Sequence, residues 1–301
     1  MKKKKSNKNI YLVLFVIFLS AAIGYGGFLI YKSKLKADAD KYMTSLADSY
    51  TESITPAPTE TPEPTPEPTV TPEPMETPEP TPEPTPEPVD PLAGVDVPEK
   101  AIDWEGLAAE NPDIYAWIYI PNTNVDYPIL QHPTEQSYYL DHNIDHSEGY
   151  PGCIYTHLRN NKNWSDPNTI IYGHNMRSGT MFASLHYYED GEFFNNNPYV
   201  YIYTPDQGTL VYEIFAVRTG GDEDILGTYD FTDEETFRSY IYTILNSRDM
   251  SGHIRNDVPV ETTDHMITLS TCTGDSSTRL LVEAVLLNDE NVPEYTFAKT
   301  N

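Results

Sequence analysis

Cysteine is scarce in this chain, and so is positive charge. Two cysteines, Cys153 and Cys272, in 301 residues rule out a disulfide-stapled scaffold. Lys and Arg number 19 against 46 Asp and Glu, a formal net charge of -27. A surface of that sign repels nucleic acid phosphates and anionic lipid surfaces, so neither is expected as a partner. No cluster of His, Cys, Asp and Glu has the spacing of a metal site, and no cofactor is expected. The acidity itself denotes a solvated surface and carries no chemistry.

The N-terminus has what the rest lacks. Lys2 to Lys5 and Lys8 precede an almost uninterrupted apolar run, Ile10 to Tyr31. At about 1.5 Å per residue the run is just long enough to cross a hydrocarbon core of roughly 30 Å. The leading lysines predict a cytoplasmic tail over 1–9, a transmembrane signal anchor over 10–31, and everything later outside the cell. Ser20 and Ala22 offer the small residues of a signal-peptide cleavage site, but the run continues to Tyr31, which favours an uncleaved anchor.

A juxtamembrane segment over 32–54 leads into "TPAPTETPEPTPEPTVTPEPMETPEPTPEPTPEP", with proline at nearly every second position. Such a stretch cannot bury a core, so 55–90 is expected to be an extended polyproline II linker. At about 3.1 Å per residue it would reach on the order of 100 Å, as a spacer.

The globular part is expected over 91–301. "AIDWEGLAAE" places Trp104, Leu107 and Ala108 at helical spacing before Asn111 and Pro112 stop the helix. Short β-rich runs follow at "YAWIYI", "GCIYTH", "NTIIYGH", "YVYIYT", "TLVYEIFAVR", "MITLSTC" and "RLLVEAVLL". That rhythm predicts a mostly β domain, a barrel or a sandwich. One clear helix interrupts it at "FTDEETFRSYIYTIL", with Thr232 as cap and Phe237, Tyr240, Ile241, Ile244 and Leu245 as its apolar stripe. A shorter helix is expected over "GTMFASLHYYED".

Three residues have reactive chemistry in informative places. Cys272 ends an apolar run and is followed by "TGDSST", so its sulfur is expected at a rim. A disulfide to Cys153 and a small buried hydrophobe remain alternatives. His174 ends another strand in "IIYGHNM", a place for a general acid, though it is one of eight histidines. Arg279 carries five donors in a planar fork suited to a carbonyl or an oxyanion, with a surface ion pair as its alternative.

Together, "TLSTCTGDSSTR", "NTIIYGHNM", "NPDIYAWIYIPNTNVDYPILQ", "GCIYTHLRN" and the helix over Thr232 to Asn246 resemble the sortase family, class B in particular, from Ile102 to Leu287. The resemblance implies a sortase-type closed β-barrel of about eight strands, with an N-terminal helix and a long helix between late strands. It implies a cysteine transpeptidase in which Cys272 is the nucleophile, His174 the general acid and base, and Arg279 the stabiliser of oxyanion or substrate. Gln136 and Leu140 of "EQSYYL" fall where the family has a "DNxxYL"-like groove segment, and only Leu140 matches; Ser270 joins them as an expected substrate-binding residue. Some class B members carry an acidic residue two positions after the cysteine, where this chain has Gly274, followed by Asp275.

The partners implied are secreted proteins with a C-terminal sorting motif cleaved at Thr, an amine of a peptidoglycan precursor, and the lipid bilayer through the N-terminal helix. A cysteine endopeptidase with water as acceptor, or a non-catalytic surface-displayed module, are the alternative readings.

Overall fold

The computed structural model describes residues 8–53 and 91–297. Most of the basic tail and the linker over 55–90 lie outside the described residues.

The chain opens with a 43-residue helix, α1 (Lys8–Tyr50), followed by the short strands β1 (Thr51–Ser53) and β2 (Lys100–Ile102), which pair antiparallel. Helix α2 (Trp104–Glu110) is capped by Asp103, whose Oδ1 accepts from Gly106 N at 2.8 Å. Then come β3 (Ile114–Tyr119), β4 (Asp126–Leu130), α3 (Tyr138–Asp141), β5 (Ile154–Thr156) and β6 (Asn168–Tyr172). A 3₁₀ turn at Ala183–Glu189 occupies the site of the expected short helix and leads into α4 (Gly191–Asn196). The remaining elements are β7 (Tyr199–Thr204), β8 (Gly208–Gly221), α5 (Ile225–Thr228), α6 (Glu234–Leu245), β9 (His253–Ile254), β10 (Met266–Cys272) and β11 (Thr278–Leu286).

The sheet runs β11-β10-β6-β5-β4-β3-β7-β8, and β11 also pairs with β8, so eight strands close into a barrel. β9 is appended to β8. Closure removes the exposed edges that an open sheet would present.

The strands are mostly apolar and buried because both faces are covered. In β11, Leu280, Val282, Ala284 and Leu286 belong to one buried cluster, with Trp117, Tyr127 and Phe182. Leu281 and Val285 belong to a second, with Phe237, Tyr240, Ile241 and Ile244 of α6. Alternate residues of a strand point to opposite faces, so the first cluster fills the barrel and the second lies under α6 on the outer wall. The cap of α6 is Asp233, one residue beyond the expected Thr232: its Oδ2 accepts from Thr236 N at 2.9 Å, while Thr232 bonds back to Asp230.

Among the described residues one helix, Leu14–Tyr50, is long and apolar enough to cross a membrane, and its most apolar window is unburied. The same helix continues past Tyr31 to Tyr50 without a break and buries Met43 and Leu46 in the main cluster.

Candidate active site

Three strand ends build the site. β10 and β11 pair so that Cys272, the last residue of β10, stands opposite Arg279. Directly opposed residues carry their side chains on the same face, with Cβ atoms about 4.5–5.5 Å apart. The connecting turn is self-contained. Asp275 Oδ1 accepts from Ser277 N at 2.8 Å and from Ser277 Oγ at 2.7 Å, which holds its carboxyl below the usual range, and Gly274 takes φ 105°. The Asp275 carboxylate therefore closes the turn.

The other neighbour of β10 is β6, which runs parallel, with Ser270 opposite Tyr172 at the end of the register. Gly173 N extends the ladder by donating to Ser270 O at 3.2 Å. A Cβ at residue 173 would come within 2.5 Å of Ile154 and 2.6 Å of Phe182, so only glycine allows this close approach. His174 and Cys272 each lie two residues past the Ser270–Tyr172 pair. Strand alternation puts them on the face of Ile170, Met266 and Leu281, the outer wall of the barrel. Tyr155 sits opposite Tyr172 with their rings stacked at 5.3 Å, and burial raises its pKa.

His174 Nε2 donates to the carbonyl of Leu140 at 2.6 Å, an assignment that leaves Nδ1 unprotonated in the neutral ring. Burial pushes its pKa below the ordinary value; the charge of Lys36 acts in the same direction, and the Leu140 carbonyl and Asp141 oppose. Arg279 Nη1 donates to the carbonyls of Ser276 at 3.1 Å and Thr278 at 2.9 Å. Among the described residues no carboxylate is within ion-pair distance of Arg279, which removes the surface ion pair as its reason for being there.

The remaining sequence expectations are placed as follows. Gln136 is half-buried, with Oε1 accepting from Leu158 N at 2.5 Å. Leu140 is 43% exposed on α3, and Ser270 is buried in β10. The two cysteines are both free. Cys153 is buried, and burial raises its thiol pKa well above the ordinary value, which keeps it protonated and unreactive. Cys272 is partly exposed.

A network not anticipated from sequence holds the cysteine from behind. The Cys272 carbonyl accepts from Asn175 Nδ2 at 2.8 Å and lies 3.0 Å from His186 Nε2. His186 Nδ1 in turn lies 2.9 Å from Glu189 Oε2. Asn175 follows His174 directly, and His186 and Glu189 share one helical face, but nothing local in either motif names Cys272 as the partner.

A cavity of about 420 Å³ lined by Arg159, Asn168, Leu226, Tyr229 and Phe231 opens at the start of β6, away from the His174 end, so it is not where the three strand ends meet. Among the described residues no group of three His, Cys, Asp or Glu could hold a metal ion.

A closed barrel carrying a cysteine, a histidine and an arginine on adjacent strand ends defines a class, and the chain belongs to the sortase family: the family model "Sortase domain" matches residues 118–287, more than half of the chain. Within the family it is similar to the class B members. It is 36% identical over 162 residues to sortase B of Listeria monocytogenes, covering 54% of this chain and 63% of that protein. It is 28% identical over 187 residues to sortase B of Staphylococcus aureus, covering 61% and 74%. The crystal structure of Clostridium perfringens sortase B superposes with a TM-score of 0.55 at 31% identity, over 60% of this chain and 98% of that one. The structure of the Listeria monocytogenes protein gives 0.52 at 34% identity, over 60% and 99%.

Proposed function

We propose that this chain is a membrane-anchored cysteine transpeptidase of the class B sortase type, with Cys272, His174 and Arg279 as its reacting groups. The observation that carries the reading is the strand register, which sets Cys272 opposite Arg279 and carries His174 to the same outer face two residues beyond the Ser270–Tyr172 pair.

In this reading the Cys272 thiolate attacks the Thr carbonyl of a sorting motif in a secreted protein, and the oxyanion that forms is met by Arg279. The C–N bond breaks as protonated His174 gives its proton to the leaving amine. A thioester to Cys272 remains. An amine of a cell-wall precursor then attacks the same carbonyl, His174 takes the proton it loses, and the thiolate leaves. The donor network on the Cys272 carbonyl fixes the strand end from which the sulfur projects. Leu140, Gln136 and Ser270 are proposed to contact the peptide.

The lysines before Ile10 favour an N-terminus in the cytoplasm and a catalytic unit outside. The test is incubation of the protein with a panel of sorting-motif peptides, with and without an added amine, read by mass. Amine-capped products that disappear in Cys272→Ala support a transpeptidase. Water-capped products alone, whatever the amine, would assign an endopeptidase, and no cleavage of any peptide would leave a display module.

A further inference from the structure

Helix α1 does not end where its apolar run ends. That run stops at Tyr31, yet the helix continues to Tyr50, and its last turns are packed on the barrel. Met43 and Leu46 are fully buried, Asp40 accepts a hydrogen bond from Thr180 Oγ1, and Tyr42 Oη donates to Glu110 Oε1 at 2.6 Å. Beyond Tyr50 the backbone itself is tied down. Asp103 N donates to Tyr50 O at 2.9 Å, and β1 pairs with β2 so that Ser53 stands opposite Lys100. Ser53 precedes the proline-rich segment and Lys100 follows it. The two flanks of that segment therefore meet at one place in the fold, and a segment whose flanks meet does not separate the anchor from the barrel.

The same helix reaches the site. Lys36 Nζ stands 4.7 Å from the centre of the Tyr150 ring, and that ring is centred 5.0 Å from the imidazole of His174. Thr180, bonded to Asp40, lies in the loop that begins at His174 and folds back on it through the Asn175–Met181 bridge and a 3.0 Å bond from Phe182 N to His174 O. At about 1.5 Å per residue, Lys36 follows Tyr31 by roughly 8 Å along the helix axis. All of these α1 residues precede residue 118, where the family match begins.

We infer that the end of the anchor helix is a working part of the catalytic unit: Lys36, through Tyr150, positions His174, and docking of Met43 and Leu46, not the proline-rich segment, fixes the site relative to the anchor. The inference rests on the proposed role of His174. The charged and titratable groups that act on that imidazole are Lys36 on α1 and Asp141 at the end of α3, with the Tyr150 ring of the following loop beside it. Lys36 disfavours the imidazolium, while Asp141 favours it.

Two measurements on the full chain test this. With an N-terminal affinity tag and a specific protease site placed within 55–90, cutting in detergent should leave the barrel on the resin with the helix, to be eluted only by denaturant. Appearance of the barrel in the flow-through overturns the inference. In the uncut protein, Lys36→Gln should move the alkaline limb of the kcat/KM profile to higher pH, because the imidazolium loses a repelling neighbour, and Lys36→Arg should restore it. An unmoved limb overturns the positioning role. Retention on the resin is read without turnover, so failure to cleave any peptide would count against the transpeptidase reading and leave the docking supported.

Discussion

Arg279 stands opposite Cys272 and, among the described residues, has no carboxylate partner and donates only to carbonyls of its own turn. A guanidinium held that way has donors to redirect when an oxyanion forms, whereas an ammonium offers only a point charge on a flexible stem. Arg279→Lys is expected to lower peptide turnover about 100- to 1000-fold with an unchanged melting temperature. Near-normal turnover would remove Arg279 from the site. Cys153→Ser should keep most activity, since the buried thiol is not ionised, while Cys272→Ser should abolish it. His186 acts at one remove: His186→Phe should slow alkylation of Cys272 and lower kcat more than it raises KM, and the melt checks that the fold survives.

At the scale of elements, the strands β8 and β11 beneath α6 share a buried ion pair. Arg218 on β8 donates to Glu283 Oε1 of β11 through Nε at 3.0 Å and Nη2 at 2.7 Å, and the Glu283 side chain has no exposure to solvent. Glu283 Oε2 has no partner among the described residues. Arg218→Met would leave the carboxylate buried and unpaired at a cost of about 3–5 kcal/mol, and adding Glu283→Gln should recover part of it, both read by denaturant melts. Loss of the α6 cap in Asp233→Ala should cost about 1 kcal/mol.

The strands β6, β7, β10 and β11 were readable from sequence because burial on both faces makes their runs mostly apolar, with buried polar exceptions such as Thr268, Ser270, Thr271 and Glu283. β4 was not, since Pro128 within "DYPIL" argues locally against a strand, although the parallel and antiparallel neighbours of β4 tolerate it. The cap moved from Thr232 to Asp233 because either residue can serve and only the backbone decides. The proposed site residues stood out in sequence because Cys272 and His174 close strand motifs and Arg279 opens one. Lys36, Tyr150, Asn175 and His186 were not, because their partners are set by topology.

At the scale of the whole molecule, the continuous α1 is what sequence could not reveal: an apolar run shows where a membrane span begins and ends but not whether its helix goes on to dock. The parallel pairing of β6 with β10 has a further consequence, in time. These strands are about a hundred residues apart in the chain, and Cys272 at the end of β10 and His174 two residues beyond β6 are brought to neighbouring strand ends only when they pair. Folds dominated by such long-range pairings fold in roughly milliseconds to seconds, because loop-closure entropy precedes any reward. The reactive pair is therefore expected to assemble with the last strand pairings. In refolding from denaturant, recovery of peptide cleavage should coincide with the slowest change in fluorescence of Trp117 and Trp164, both buried in the main cluster. Cleavage that returns earlier would mean the two strand ends find each other before the barrel closes. On the proposed assignment, a chain that brings His174 to Cys272 only at closure passes through its unfolded stages without a competent transferase.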